Sequence, residues 1–322
     1  MAWSLAYAPG QKGRTALVTG ASAGIGLETA RALAARGAHV ILACRSLERG
    51  RAAATRIGGS TEIVLLDLAS LDSIHRAAAE VLDRHDRLDL LINNAGVMFP
   101  SYQRTEDGFE AHFGVNHLGH FALTGLLLPS MIPVPDSRIV TVASLAHRAG
   151  FGGVDAARAR SDDGRRSVTA YGRSKLANLL FARELQHRLT TAGAATTSLA
   201  AHPGLSPTRL WSGDPPALLR PVVAAGLRWL AHPADQAALP SLRAAMDADV
   251  PGGAYLGPSG LFGNRGRPGP ASSSRASRSK GARARLWALS EELTGVQYTY
   301  EPTTAEASDD TVRPRAGRQG RG

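Results

Sequence analysis

Tyr171 and Lys175 stand four positions apart in the stretch Tyr171-Gly172-Arg173-Ser174-Lys175, and on a helix that spacing stacks one side chain above the other. An ammonium group beside a phenol favours the phenolate and moves a group with a pKa near ~10 toward acid/base work at neutral pH. The pair alone proves little, because any helix rich in Arg and Ala can place a Tyr and a Lys at this distance. A hydroxyl that could share the work is Ser144, which follows the apolar run at residues 137–143. This is the carboxyl end of a strand, the edge where α/β sheets build active sites, and a hydroxyl there is suited to polarising a carbonyl.

The elements that must position these groups begin with a short apolar run at residues 15–19, which stops at Gly20. Gly20-Ala21-Ser22-Ala23-Gly24-Ile25-Gly26 then opens a helical pattern that runs to Ala35, with Gly37 just past its end. Strand, glycine turn and helix in that order let a backbone pass close to a diphosphate and offer it the free N–H groups of a helix N-terminus. A dinucleotide fits this stretch. The spacing is G-x-x-x-G-x-G and not the commoner G-x-G-x-x-G, so an ordinary tight turn is the competing reading.

A second strand is expected at residues 39–43. At its end, where an acidic residue would hold a ribose 2′-hydroxyl, stand Cys44-Arg45-Ser46. An arginine suits a 2′-phosphate, so NADP(H) is favoured over NAD(H), with Arg45 as the discriminating cation and Arg49 as a helper. The alternative is a surface charge on a loop. A third strand at 62–66 ends in Asp67-Leu68, where the carboxylate either accepts from an adenine amino group or caps the next helix. A fourth at 88–92 leads into Asn93-Asn94-Ala95-Gly96, whose small and amide side chains allow close approach to a cofactor; an Asn-rich turn is the plainer reading.

The helical pattern at 109–128 carries His112, His117 and His120 around Asn116. Their spacing matches no metal-ligand set and no acidic ligand lies among them, so no metal site is expected. The helix of Tyr171 should reach Leu189, and a sixth strand at 194–200 ends in His202-Pro203-Gly204, with Thr208 beyond. Residues 205–232 read as a lid over the substrate. A helix at 233–246, a last strand at 254–256 and a closing helix at 282–293 complete the order. The fold expected is α/β: a single-domain, Rossmann-type doubly wound parallel sheet of about seven strands with helices on both faces. It spans residues 13–298, between an N-terminal extension at 1–12 and a disordered tail at 299–322.

The chain has 322 residues, 43% hydrophobic and 20% charged, which suits a soluble globular protein. One cysteine, Cys44, excludes an internal disulfide and argues against an oxidising compartment; with no signal-peptide pattern and no transmembrane segment, a cytoplasmic protein is expected. The net charge of +10 is carried by arginine, as Lys12, Lys175 and Lys280 are the only lysines. Much of it falls at 264–285 and 313–321, stretches read as disordered and lacking the aromatic residues that stack bases, so no nucleic-acid partner is expected.

Taken in order, Thr19-Gly20-x-x-x-Gly24-x-Gly26, Asp67, Asn93-Asn94-Ala95-Gly96, Asn116, Ser144, Tyr171-x-x-x-Lys175 and Pro203-Gly204 resemble the short-chain dehydrogenase/reductase family over about residues 13–298. Ala43-Cys44-Arg45, residues 112–124, Ser144-x-x-His147-Arg148 and residues 289–296 look like its retinol dehydrogenase and protochlorophyllide reductase branch. The resemblance implies a catalytic tetrad of Asn116, Ser144, Tyr171 and Lys175. Tyr171 would exchange a proton with the substrate oxygen, Ser144 would hold that oxygen, Lys175 would lower the phenol pKa and bind the nicotinamide ribose, and Asn116 would anchor a water. It also implies a cofactor site of Gly20, Ser22, Ala23, Gly24, Ile25, Gly26, Arg45, Asp67, Leu68, Asn93, Ala95, Gly96, Tyr171, Lys175, Pro203, Gly204 and Thr208, and pairing of chains into a homodimer or homotetramer.

The activity so implied is carbonyl–alcohol interconversion on an apolar small molecule. Its alternatives are reduction of a carbon–carbon double bond and, from another class, a non-catalytic NADP(H)-binding sensor or scaffold. The chain departs from compact members in the long connection between Ser144 and Tyr171, with Arg158, Arg160, Arg165 and Arg166, and in the low-complexity stretch at 264–285.

Overall fold

The computed structural model describes residues 3–98, 102–150, 159–160, 167–204, 233–260 and 263–301. The expected lid at 205–232, Thr208, most of the Arg-rich connection and residues 302–322 lie outside the described residues.

Among the described residues, eight strands form one sheet: β1 (Thr15–Thr19), β2 (His39–Cys44), β3 (Thr61–Leu65), β4 (Leu90–Asn93), β5 (Arg138–Val142), β6 (Thr197–Ala201), β7 (Tyr255–Pro258) and β8 (Pro268–Pro270). Their spatial order is β3-β2-β1-β4-β5-β6-β7-β8, parallel throughout except for β7 against β8. The longer helices are α1 (Gly24–Ala35), α2 (Leu47–Ile57), α3 (Leu71–Arg84), α4 (Gly119–Met131), α5 (Ser167–Thr191), α6 (Ala234–Met246) and α7 (Lys280–Thr294). Helices α1, α2 and α6 pack on one face of the sheet, and α3, α4, α5 and α7 on the other. The central strands are near-continuous apolar runs because both faces are covered and no side of the pleat meets water.

Local chemistry sets the helix ends. The Ser46 and Ser70 hydroxyls accept the Arg49 and Ser73 amides at the starts of α2 and α3, and α7 stops at Gly295, whose φ of 69° is left-handed. Strand order reverses between β2-β1 and β4-β5, which opens a crevice beyond the carboxyl ends of β1 and β4, the place where such sheets bind nucleotides.

One expectation fails here. Residues 264–285 are ordered: β8 lines up on β7 through Leu256↔Pro270, Gly257↔Gly269 and Pro258↔Pro268, and Ser277 is fully buried. Serines of the stretch are bonded to arginines from elsewhere in the fold. The Arg183 guanidinium donates to the Ser277 carbonyl and hydroxyl at 2.8 Å, and Arg148 to the Ser272 hydroxyl at 2.8 Å. Pro-Gly-Pro is tolerated because β8 is an edge strand. At the start of the chain, Trp3 and Leu5 pack against the core on the α1 side, and Tyr300 packs on the opposite cluster.

Candidate active site

The crevice holds a cavity of about 740 Å3. Its floor is the glycine turn. Gly20 and Gly24 have φ of 67° and 56°, which an L side chain adopts only with strain, and a Cβ on Gly26 would stand 2.4 Å from the Gly20 carbonyl oxygen and 2.5 Å from Asn94 Nδ2. The turn is therefore held flat against the end of β4, and the first turn of α1 faces the cavity. Thr19 locks this corner: its Oγ1 accepts the Asn94 and Ala95 amides at 2.9 Å each, while Asn94 Nδ2 donates to the Thr19 carbonyl at 2.8 Å.

Of the residues expected around a cofactor, Gly20, Ser22, Ala23, Gly24, Ile25, Gly26, Arg45, Asp67, Leu68, Ala95, Gly96, Tyr171, Lys175 and Pro203 line the cavity. Asn93 does not, and the expectation for it is corrected. Its side chain is fully buried and donates from Nδ2 to Thr124 Oγ1 at 2.9 Å, pinning β4 to α4, and Asn94 lines the cavity in its place. Gly204 is also set back. Its φ is 77°, its amide donates to His202 Nδ1 at 3.2 Å, and a Cβ there would meet the Asn264 carbonyl oxygen at 2.5 Å, so it turns the chain beneath Pro258 and Asn264. Asp67 does not cap α3. Ser70 does that, and Asp67 Oδ1 instead accepts the Ala69 amide at 2.9 Å.

The end of the cavity beyond β2 is cationic: Arg45, Ser46 and Arg49 follow that strand on the cavity wall. Val97, Met98, Val115, Val142 and Ala143, none of them picked out from the sequence, add apolar wall at the other end. Their only signal was adjacency to the Asn93–Gly96 motif, to Asn116 and to Ser144.

Tyr171 and Lys175 share a face of α5, and the lysine Nζ lies 5.8 Å from the centre of the phenol ring. The side chain of Ser144 lies near enough to Tyr171 to favour its phenolate, and its Oγ accepts the Ala146 amide at 3.1 Å. Burial governs both titrations. Lys175 is 3% exposed, and loss of water pulls its ammonium down to about 8. Loss of water likewise pushes the Tyr171 phenol up to about 12, against a smaller opposing pull from Ser144. The expectation drawn from the four-residue spacing, lowering by Lys175, gives way to desolvation, which raises the phenol. Lys175 Nζ donates to the Val142 carbonyl at 3.0 Å, which anchors it at the end of β5.

Asn116 sits in a π turn, Gly114–Leu118, that interrupts the helical run into α4; such single-turn widenings recur at functional sites. Its Oδ1 accepts the Val97 amide at 2.7 Å and its Nδ2 donates to the Val97 carbonyl at 3.0 Å and to Ser174 Oγ at 2.9 Å. Gly96 brings Asn116 and Lys175 together: a Cβ on it would lie 3.2 Å from Lys175 Nζ and 3.4 Å from Asn116 Oδ1.

His120 ties this turn to the glycine corner. Its Nδ1 is 3.0 Å from the Asn116 carbonyl, which only accepts, so Nδ1 carries the proton. Burial holds the ring neutral, with a pKa lowered to about 4, and Nε2 accepts from the Thr19 hydroxyl at 2.9 Å. Sequence reasoning weighed His120 only as a metal ligand and missed this bridge. The neighbouring histidines face other partners, His112 at Glu110 and His117 at Ser290.

A doubly wound sheet with a glycine-floored crevice at its switch point, a cationic end beyond β2, and a serine, tyrosine and lysine toward the other end defines a class: nucleotide-binding α/β proteins equipped for proton transfer. Residues 14–214 match the family described as short chain dehydrogenase. The chain belongs to that family. It is 48% identical over 203 residues to human retinol dehydrogenase 13, an alignment covering 62% of this chain and 60% of the relative. The chain thus spans about 60% of the length of such curated relatives. An uncharacterized protein from Mycobacterium paratuberculosis of known crystal structure is 43% identical, with a TM-score of 0.78 over 93% of this chain and all of that one. A structure described as an NAD(P)-dependent gluconate 5-dehydrogenase from Beutenbergia cavernae, with bound NADP, is 28% identical, with a TM-score of 0.59 over 74% and 92% of the two chains.

Proposed function

We propose that this protein is an NADP(H)-dependent oxidoreductase that interconverts a carbonyl and an alcohol on an apolar small molecule. One observation carries the reading: the buried Tyr171 and Lys175 line one end of a cavity whose floor is the glycine turn, with Ser144 acting on the Tyr171 phenol from the end of β5. The residues present fit the cofactor. Gly20, Gly24 and Gly26 leave a cradle that a Cβ on Gly26 would fill, and Arg45 and Arg49 offer fixed positive charge for a 2′-phosphate, with no acidic residue directly after β2 to repel it.

The nicotinamide supplies and accepts hydride when bound. In carbonyl reduction, the Ser144 hydroxyl and the Tyr171 phenol both donate toward the substrate oxygen, and Tyr171 gives up its proton as the alcohol forms. A phenol held at about 12 is fully protonated at neutral pH and ready to act as the acid. Lys175 stabilises the phenolate left behind, and Asn116 holds the Val97 backbone at the cavity wall through two hydrogen bonds. The apolar wall of Val97, Met98, Val115 and Val142, together with the likeness to a protein named as a retinol dehydrogenase, supports an apolar substrate.

The test is a screen of aldehydes, ketones, enones and alcohols, retinal and retinol among them, with NADPH/NADP+ and NADH/NAD+ followed at the nicotinamide absorbance. The expected result is turnover of an apolar carbonyl or alcohol, faster with the phosphorylated cofactor. Saturation of an enone's double bond with its carbonyl left intact would replace the reaction proposed, and a preference for NADH would overturn the role of Arg45.

A further inference from the structure

At the edge of the sheet opposite the cofactor cavity, three side chains from three elements converge. His39 opens β2, Glu62 is the second residue of β3, and His85 follows the last residue of α3. Glu62 pairs with Ile41 in the ladder, and His39 precedes Ile41 by two, so alternation puts His39 and Glu62 on the face that α3 covers. One ligand atom from each, two imidazole nitrogens and a carboxylate oxygen, all lie within 4.8 Å of one another. Glu62 Oε1 is hydrogen-bonded to His85 Nε2 and stands 3.7 Å from His39 Nε2.

The second ring nitrogen of His39 explains how the cluster is aimed. His39 Nδ1 lies 2.7 Å from Ser60 Oγ, and a proton on Nδ1 donated to that hydroxyl leaves the Nε2 lone pair directed at the Glu62 carboxylate. In that tautomer two acceptors face each other and repel unless an added proton or a cation lies between them, whereas in the other the Ser60 hydroxyl donates to Nδ1 and Nε2–H points to Glu62. A histidine whose outer nitrogen is fixed by a hydrogen bond while the inner one faces other donors is the arrangement metal-ligating histidines adopt. Side-chain exposures of 31%, 24% and 17% for His39, Glu62 and His85 leave a path for an ion from solution.

We propose that His39, Glu62 and His85 bind one divalent transition-metal ion, with Zn2+ the species best matched to two imidazoles and a carboxylate. Three protein ligands leave a fourth position for water. Ligand bonds of about 2.0–2.2 Å call for donor atoms roughly 3.4 Å apart, close to the 3.7 Å between His39 Nε2 and Glu62 Oε1, while the Glu62–His85 hydrogen bond must open to admit the ion, a shift within the rotamer freedom of side chains at a strand start and a helix end. The bound ion would tie the starts of β2 and β3 to the end of α3. It stands at the far ends of the strands from Arg45 and Asp67, so it is a clamp on the sheet edge and has no part in the proton transfer proposed above.

The experiment titrates the full chain, free of any histidine tag, with Zn2+ by calorimetry and with Co2+ by visible absorption, and follows the thermal midpoint with and without Zn2+. One equivalent per chain, a four-coordinate Co2+ spectrum and a Zn2+-dependent rise in midpoint are expected. H39A, E62Q and H85A should each weaken binding by at least about tenfold, the loss seen even for outer partners of metal ligands. Glu62→Gln keeps a hydrogen-bonding side chain in place, so circular dichroism on it separates lost ligation from lost folding. H75A, at an exposed histidine of α3, should bind as the unaltered chain does. Several weak equivalents, or binding that survives both H39A and H85A, would overturn the proposal and leave a hydrogen-bonded cluster only.

Discussion

Replacing Lys175 with methionine should make the cofactor-free protein more stable while abolishing turnover. Burial lowers the Lys175 pKa from 10.5 to about 8, so the ammonium costs the fold roughly 3 kcal/mol, at about 1.4 kcal/mol for each tenfold loss of proton affinity. The sign follows from proton counting. Between pH 8 and 10.5 the unfolded chain holds the proton and the native chain does not, so stability rises with pH across that window; below 8 both hold it and the penalty is fully present. Methionine has similar length and no charge. It forfeits the 3.0 Å bond to the Val142 carbonyl, worth about 1 kcal/mol, so the net gain at pH 7 is on the order of 1–2 kcal/mol. Urea denaturation of both proteins without cofactor, at pH 7 and again at pH 10, measures it. The gain should be present at pH 7 and shrink at pH 10. A Lys175→Met protein less stable than the original at pH 7, or a gain independent of pH, would refute the claim that a buried, desolvated ammonium is stored at this site.

Arg45→Ala should raise KM for NADPH by roughly 10- to 100-fold, the loss of a charge-assisted hydrogen bond worth about 1.5–3 kcal/mol, and leave KM for NADH nearly unchanged; steady-state kinetics with both cofactors reads the difference. Acid should destabilise the fold through three buried histidines. His117, His120 and His202 are lowered by burial from 6.5 to about 3, 4 and 4, so as pH falls from 6.5 toward 4 the unfolded chain takes up protons that the native chain refuses. Together they should remove up to about 4 kcal/mol of stability for each step of one in pH across that window, seen as falling urea midpoints, with a shallower slope in His120→Asn.

Much of the fold was legible because parallel strands buried on both faces read as apolar runs: β1 appears at residues 15–19 as expected, and β2 and β5 lie within one residue of their expected ends. Strand β4 begins two residues later than its apolar run, since pairing with β1 and not composition sets its start. The stretch at 264–285 was misread because Ser and Arg look solvated in composition, whereas Arg183 and Arg148 find fixed partners only after residues roughly 90 to 124 positions away are folded beside them. Asn93 and Asn94 show a sharper limit. Two identical side chains at a strand end carry no sign of which one the pleat turns toward α4 and which toward the cavity. The titration of Tyr171 was misjudged for a related reason, as helical spacing reports the nearby charge of Lys175 and is silent on the burial that outweighs it. His39, Glu62 and His85 come together only through the β2–β3 register and the end of α3, and their sequence spacing gives no hint of it.

The central claim is that the Tyr171 phenol delivers the proton that accompanies hydride transfer. Its most direct test is a single-turnover measurement on Tyr171→Phe, with NADPH bound and the preferred carbonyl from the screen added. We expect NADPH to bind with unchanged affinity and its absorbance to decay at least about 10²-fold more slowly than in the unaltered protein, the usual scale of a lost general acid. Decay at an undiminished rate in a protein that binds NADPH normally would contradict it.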